Sequence, residues 1–448
     1  MQRTPVIAIF DIGKTNKKCF LFDAHYRLLK EQSVKFTELP DEDGHGAEDL
    51  GALSAWVTNT FHVLQQLGEY DIRAVNFSGY GASFVWLDQN GQPIAPLYSY
   101  LKPYPAALQQ QFYDQYGPAH QVARDTASPA LGSLNSGMQL YRLKYEQPAT
   151  FARTRYCLHL PQYLSFLLTG QAYADITSIG CHTQLWDFTK NAYHDWVAAE
   201  GILPKLPPLH PAENAVAAVV NGRPLQAGIG LHDSSAALIP YLSGFQEPFV
   251  LLSTGTWCIS LNPFNHSPLT NEELQNDCLC YLDYKGRPVK ASRVFAGYAH
   301  EQLVKKLASH FNKPLHYYRE VWYDPAMAAT LRPEPLQDLG LPSLDPFSGY
   351  ESAYHQWMVS ILEVQRKALE RVLHGTPVKR IFVDGGFSGN PVFMHLLAAA
   401  FPQVEVYAAA MAQASALGAA LAIHHAWNAA PMPTDLIDLK YYAAPQTV

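Results

Sequence analysis

Val6-Ile7-Ala8-Ile9-Phe10-Asp11, running on through Ile12-Gly13-Lys14-Thr15-Asn16-Lys17, decides how the rest of the chain is read. The first six residues are a short, apolar, β-branched run, the pattern of a buried strand, and Gly13 ends it in a tight turn. Two more strand-like runs follow at once, over residues 18–22 and 31–36, separated by a turn-prone stretch over 23–27. Such close spacing leaves room only for hairpins, so a three-stranded antiparallel meander is expected instead of a β-α-β start. A helix then fits residues 51–68, with Leu53, Val57, Phe61 and Leu64 on one face. Residues 74–78 are another strand, ending in the glycines of Ser78-Gly79-Tyr80-Gly81.

The same grammar returns in the second half. Residues 249–253 (FVLLS) lead to a turn at Thr254-Gly255-Thr256 and a strand over 257–261. Ala353, Trp357, Ile361, Val364, Ala368 and Val372 then form an amphipathic stripe ending near Gly375. A strand over 380–384, a helix over 391–400 opening at Pro391, a strand over 404–407 and an Ala-rich helix over 412–427 complete the series. Two halves on one plan imply duplication of a whole α/β domain. The boundary falls between Leu242 and Glu247, which gives domains 1–243 and 244–448. The Pro-rich tract over 324–346 keeps interspersed apolar residues and reads as an ordered excursion or lid.

Composition sets the outer limits. The chain has 448 residues, of which 48% are hydrophobic and only 16% charged, which describes a packed protein of two or more domains and excludes a mostly disordered one. Its formal charge of −7 has the wrong sign for a sequence-independent grip on nucleic acid, so any anionic ligand must be held locally. No window reaches the roughly 18 apolar residues of a membrane span, and the N-terminus lacks the charged-then-apolar plan of a secretory signal. A cytoplasmic location is therefore expected. The six cysteines form no framework; Cys278 and Cys280 have no partner pair at zinc-binding spacing.

Several stretches carry chemistry. Asp11-Ile12-Gly13-Lys14-Thr15-Asn16 puts a carboxylate at a strand end and then a glycine turn, so that backbone N–H groups and Lys14 can face phosphate while Asp11 holds magnesium. An ordinary hairpin turn is the plain alternative; a Walker loop fails because no glycine stands five residues before Gly13. Thr254, Gly255 and Thr256 offer amide and hydroxyl donors at the equivalent place of the second half. Gly228-Ile229-Gly230-Leu231-His232-Asp233 brings a carboxylate to a helix start, either as an N-cap or as a general base. Gly385-Gly386-Phe387-Ser388-Gly389-Asn390 is a glycine-rich strand-to-helix turn, suited to close approach of a planar or phosphorylated ligand or simply to a β-α connection. The small residues around Ser415 permit close packing on a sheet or against a base. Gly81, Ala82, Gln184 and His232 are candidates to reach an acceptor hydroxyl, although loop glycines and polar helix starts are common without any ligand.

In this order, the stretches resemble the FGGY carbohydrate kinases of the actin/sugar-kinase/Hsp70 ATPase superfamily over nearly the whole chain. Asp11–Lys17 is similar to the family's first phosphate motif, Ser253–Trp257 to its second, Gly230–Ala237 to its catalytic segment, and Gly385–Pro391 with Ala414–Gly418 to its adenosine-binding pair. Thr177-Ser178 through Thr183-Gln184-Leu185-Trp186-Asp187 is similar to a stretch of its sugar-binding domain. The resemblance implies two duplicated RNase-H-like (actin-like ATPase) domains around an interdomain cleft, with sugar and catalytic base on the first and nucleotide on the second. It implies phosphoryl transfer from ATP to a sugar hydroxyl with Mg2+, Asp233 as the base, Asp11 toward the metal, Gly13, Lys14, Thr15, Asn16, Thr254, Gly255 and Thr256 at the phosphates, and Gly385, Gly386, Asn390 and Ser415 at adenosine.

Two departures bear on the substrate. Lys14 replaces a small or hydroxyl residue usual in the family. Tyr98-Ser99-Tyr100-Leu101-Lys102-Pro103 lacks the Asp and Arg with which many members contact the sugar, leaving Lys102 or the tyrosines to substitute and making a xylulose- or glycerol-type acceptor less expected. Leu160-Pro161-Gln162-Tyr163-Leu164 and Leu168-Thr169-Gly170 resemble rhamnulose and fuculose kinases. The expectation is thus an ATP- and Mg2+-dependent ketose kinase acting on L-rhamnulose or L-fuculose. Alternatives are a xylulose, ribulose or polyol kinase, a nucleotide-binding regulator without sugar turnover, and an ATPase doing conformational work. Expected partners are the sugar and ATP, with no nucleic acid and no membrane; a homodimer is left open.

Overall fold

The computed structural model describes residues 3–336, 343–411 and 413–444. The run that opened the sequence reading is the strand Thr4–Ile12, whose residues 6–10 are all fully buried. Side chains alternate across a strand, and here both faces are covered. Val6, Ala8, Phe10 and Ile12 pack with Leu53, Val57, Phe61 and Leu64 of the helix Leu50–Gln66. Ile7 and Ile9 face the opposite way, into a cluster with Ala416, Leu417, Ala419 and Ala420. Asp49 caps the helix Leu50–Gln66, its carboxylate accepting from the Ala52 N–H at 2.8 Å.

The meander forms as expected: Thr4–Ile12, Lys17–Asp23 and Leu28–Val34 are successive antiparallel neighbours, and Tyr70–Gly79 pairs in parallel on the other side of the first strand. Two short partners extend that side, Arg223–Ala227 and, at the far end of Tyr70–Gly79, Leu231–His232. The third strand begins three residues earlier than its apolar pattern suggested, because Leu28–Val34 is an exposed edge held by backbone pairing and not by burial. In the second half, Phe249–Thr254 pairs antiparallel with Cys258–Asn262 and in parallel with Arg380–Gly385. Pro288–Val294 and Glu405–Ala410 extend the two sides, with Cys278–Leu282 and Asp438–Tyr442 at the edges. A three-strand antiparallel run joined to a parallel strand is thus built twice.

Helices complete the layers. Tyr350–Leu373 and Pro391–Ala400 cover one face of the second sheet through Val250 and Leu252. Between the sheets lie the helices Asp233–Gly244 and Ala414–Ala422: Ala236 and Ile239 of the former join Ile7 and Ile9, while its Leu238 and Tyr241 join Phe249 and Leu251. The two helices touch closely; a Cβ on Gly418 would stand 1.8 Å from the Ala236 carbonyl oxygen. The last helix is shorter than its alanine-rich pattern, stopping at Ala422 before a separate turn His424–Trp427, and Ala412 lies outside the described residues.

Between Gly79 and Val216 the chain makes an excursion with its own aromatic core, in which Phe112 meets Trp196 edge to face at 5.1 Å. The Pro-rich tract is partly outside the described residues, at 337–342. Its described part is tied to the helix Tyr350–Leu373: Gln356 donates to the Arg332 carbonyl at 2.7 Å, and the Glu334 N–H to the Ser360 hydroxyl at 2.9 Å.

Candidate functional site

Pairing of Thr4–Ile12 with Lys17–Asp23 ends at Ile12 and Lys17, leaving Gly13–Asn16 as the connection, closed by the Gly13 N–H on the Asn16 carbonyl at 3.0 Å. The turn is anchored from beneath. The Lys17 ammonium, fully buried, reaches the Lys14 carbonyl at 2.9 Å and pairs with Glu48 at 2.9 Å. The Tyr80 hydroxyl also donates to Glu48, at 3.3 Å. Lys14 turns its ammonium to Glu38 at 2.5 Å and lies over the Tyr80 ring, so its charge is already matched by a carboxylate.

Asp11 stands opposite Ser78 in the parallel register and accepts from the Ser415 hydroxyl at 2.9 Å. That bond crosses from the last helix to the first sheet. Burial pushes the Asp11 carboxyl up to about 6, and the nearby Asp233 adds to the rise, while the hydroxyls of Ser415 and Ser78 oppose it. Strand Leu231–His232 pairs with Ser78 and Gly79, so Asp233 emerges on the far side of Tyr70–Gly79 from Asp11, with that one strand between them. Asp233 is the first residue of its helix, and its carboxylate accepts from the Ser234 N–H at 2.6 Å. The helix N-terminus favours negative charge there. The N-cap position itself belongs to His232.

Two carboxylates from separate segments thus face one junction. The segment carrying Asp233 is held by a relay absent from the sequence reading: the buried Asp175 carboxylate accepts from the Thr177 hydroxyl, and Thr177 Oγ1 in turn accepts from the His232 N–H at 2.9 Å. Burial raises Asp175 to about 7. Gly81 lies against the His232 ring, where a Cβ would come within 2.6 Å of Cδ2. Ala82 is left-handed at φ 62°, and its carbonyl accepts from Gln139 at 2.6 Å. Gly81, Ala82 and His232 are therefore gathered with Asp233. The Tyr100 phenol is raised by burial and by the nearby Asp233 and Glu38 carboxylates, which places it on the same side.

Two acceptor candidates are engaged elsewhere. Gln184 is buried at φ 60°, its amide donating to the Tyr113 hydroxyl at 3.2 Å inside the excursion's core. Lys102 is also buried; its ammonium meets Asp41 at 2.6 Å and Asp43 at 2.8 Å, so an acidic turn far off in sequence neutralises it. Tyr98 goes with it, donating to Glu42 at 2.6 Å.

On the second sheet, Gly255 and Thr256 are exposed at the strand end. The Thr254 hydroxyl is not a free donor: it gives its hydrogen to the Asp384 carbonyl and accepts from the Phe387 N–H at 2.9 Å. It ties the second turn to the Gly385–Gly389 turn. Gly385, at φ 77°, approaches Thr254 so closely that a Cβ would sit 1.9 Å from its carbonyl oxygen. Asn390 is likewise structural on its amide side, capping the helix Pro391–Ala400 through the Phe393 N–H at 3.1 Å and donating to Tyr354 at 2.7 Å. Gly386 remains exposed beside it.

Paired sheets of one plan, with helices Asp233–Gly244 and Ala414–Ala422 between them and glycine turns at matching strand ends, define an actin-like ATPase fold of two domains. Within that class the chain belongs to the FGGY family of carbohydrate kinases: the family's N-terminal domain matches residues 6–239 and its C-terminal domain residues 271–427. The crystal structure of a carbohydrate kinase from Novosphingobium aromaticivorans superposes with a TM-score of 0.81 at 25% identity, covering 99% of this chain and 95% of that one. A ligand-bound xylulose kinase from Lactobacillus acidophilus also gives 0.81, at 16% identity over 98% and 94% of the two chains, a likeness of fold.

Relatives by sequence include a rhamnulokinase of Mannheimia succiniciproducens, 24% identical over 40% of this chain and 39% of that protein. One from Yersinia pestis strain Pestoides F is 24% identical over 59% and 55%. The chain therefore spans 39–55% of these relatives' length.

Proposed function

We propose that the protein transfers a phosphoryl group from ATP to a hydroxyl of a small ketose, best matched by a deoxy-ketohexose such as L-rhamnulose or L-fuculose, with Asp233 as general base. The convergence of Asp11 and Asp233 at one junction carries this reading. The rhamnulokinase relatives support the choice of sugar. On this reading residues 1–243 supply the acceptor side and the base, and residues 244–448 the nucleotide side.

The residues present suit a magnesium ion. Asp11 is a half-buried carboxylate raised to about 6 with a second carboxylate nearby, and oxygen donors around negative charge are what a hard divalent cation takes. Asp11 would hold it, and when bound it would supply charge neutralisation on the phosphates. Thr15, Asn16 and Thr256 would then present backbone donors to the phosphates, with Gly13 and Gly255 closing the two turns through their own N–H groups on the Asn16 and Trp257 carbonyls. Asn390, with its amide committed to the helix cap, would shape the adenosine site beside Gly385 and Gly386 as backbone. Ser415, at the head of the last helix, links that site to Asp11. Asp233 takes the proton of the acceptor hydroxyl, with His232 and Tyr100 bordering the pocket it faces.

ATP-coupled phosphorylation across a panel of ketoses tests the assignment. Asp233→Asn should lose about 10²–10⁴-fold in turnover while keeping ATP affinity; unchanged turnover refutes the mechanism. ATP binding without turnover on any ketose would instead favour a nucleotide-binding regulator.

A further inference from the structure

Beside Asp233 lies a cluster that the kinase reading does not use. Cys181, His182 and His232 are all buried, and their candidate donor atoms lie within 4.8 Å of one another. We propose that Cys181, His182 and His232 form a three-residue binding site for Zn2+, whose occupation withdraws His232 from the acceptor pocket beside Asp233.

The separation of Cys181 and His232 matches one edge of a tetrahedral site. Zinc binds thiolate near 2.3 Å and imidazole or carboxylate near 2.0–2.1 Å, which sets ligand-to-ligand edges of about 3.5 Å for sulfur to nitrogen and about 3.3 Å for nitrogen to oxygen. Cys181 Sγ stands 3.4 Å from His232 Nε2, while Asp233 Oδ1, 3.5 Å from the same nitrogen, lies beside the cluster and not within it. The tautomer of His182 is also suitable. Its Nδ1–H is directed to the Leu134 carbonyl at 3.1 Å, leaving Nε2 as a bare lone pair, the second-shell arrangement that orients metal-binding imidazoles.

His232 gives an independent sign. The ring is buried, yet Nε2 has only a weak thiol partner at 3.4 Å and a carboxylate at 3.5 Å. A buried polar atom left this way is costly unless something else completes it. The positive charge of Arg293 reaches His182 and disfavours a further positive charge there, but an acidic partner offsets it. The nearby guanidinium of Arg293 is held in a fork by Asp277, at 2.7 and 3.1 Å, and the thiol proton leaves to solvent as the zinc–sulfur bond forms. Soft sulfur with imidazole selects zinc over magnesium, so this site and the Asp11 site discriminate between the two ions.

Binding stands on geometry alone; only its inhibitory consequence rests on the kinase reading. The full-length, metal-free protein titrated with Co2+ should show a sulfur-to-cobalt charge-transfer band saturating at one equivalent and displaced by Zn2+. Cys181→Ser should lose the band. Its Zn2+ affinity, measured by competition with a chromophoric chelator, should fall by at least about 100-fold, since loss of second-shell partners alone costs about 10–100-fold. Absence of the band in the wild-type protein overturns the site whatever the variant's folding, as does equal zinc affinity in the two proteins. One equivalent of Zn2+ should also stop ketose phosphorylation in excess Mg2+, reversibly on chelation; undiminished turnover with zinc bound overturns the inhibitory assignment. If metal-free protein phosphorylates no ketose, the kinase reading fails and the cobalt spectrum still decides the site.

Discussion

Gly418→Ala is the most exacting test of how the two halves meet. The Cβ it adds would lie 1.8 Å from the Ala236 carbonyl oxygen, whereas real Cβ atoms essentially never come under 3.0 Å. The contact is backbone, so no side chain can rotate away. The helices Asp233–Gly244 and Ala414–Ala422 must therefore separate by about 1.2 Å. One of them starts at Asp233 and the other carries Ser415, which bonds to Asp11. A misplacement of about 1 Å at reacting groups costs about 10²-fold in rate, and overpacking about 1–3 kcal/mol in stability. Steady-state ketose phosphorylation and thermal unfolding of Gly418→Ala should show both losses. Gly68→Ala is the control, because a Cβ there meets nothing within 4 Å. A Gly418→Ala protein that melts and turns over like wild type refutes the close contact between the helices.

Other predictions follow from single contacts. Asp11, raised to about 6, gains its proton as pH falls through that value, so turnover should drop below about pH 6 and higher Mg2+ should push the acid limb lower. Because the folded state binds that proton more tightly than the unfolded chain, Asp11 adds stability as pH falls from about 6 toward 4; circular dichroism should find the fold intact where turnover is already lost, and an Mg2+-independent limb would refute the assignment. Thr177→Val strands the His232 N–H and should lower kcat roughly tenfold with the KM for ATP unchanged and rescue by Thr177→Ser; an unaltered kcat would refute the relay. Glu48→Gln leaves the Lys17 ammonium buried without its partner and should cost about 3–5 kcal/mol in denaturant unfolding, a penalty that the double variant Lys17→Met/Glu48→Leu should largely recover.

How much of this was legible in the sequence depended on how local each signal was. The strand at Val6 and the helix at Ala353 were readable because their pattern reports burial directly; of the stripe, Ala353, Trp357, Ile361, Ala368 and Val372 are buried, but Val364 is exposed and Gln365 takes the buried position beside it. The start of Leu28–Val34 was not, since an exposed edge strand carries no such pattern. The turn residues were found by composition, but composition does not say which way a side chain faces. Thr254 and Asn390 look like ligand donors and instead satisfy neighbouring backbone, while Gln184 faces the core of the excursion. The partners of Lys17 and Lys102 lie 31 and 61 residues away, and only the fold brings them together. Thr177 stood in a stretch already noticed, without anything to show that its hydroxyl would hold the segment before Asp233.

The position of the helix Ala414–Ala422 has a consequence for how the protein comes into being. It fills the inner face of the first sheet, against Ile7, Ile9 and Phe20, yet it is made some 400 residues after them. At about 5–20 residues per second, a nascent chain would carry that face, covered only in part by the helix Asp233–Gly244, for about 20–80 s before the helix that completes it is made. The first half therefore cannot mature on its own schedule. Its apolar face is a natural ground for chaperone engagement, and synthesis arrested before residue 414 should yield a species far more prone to aggregate than its length suggests.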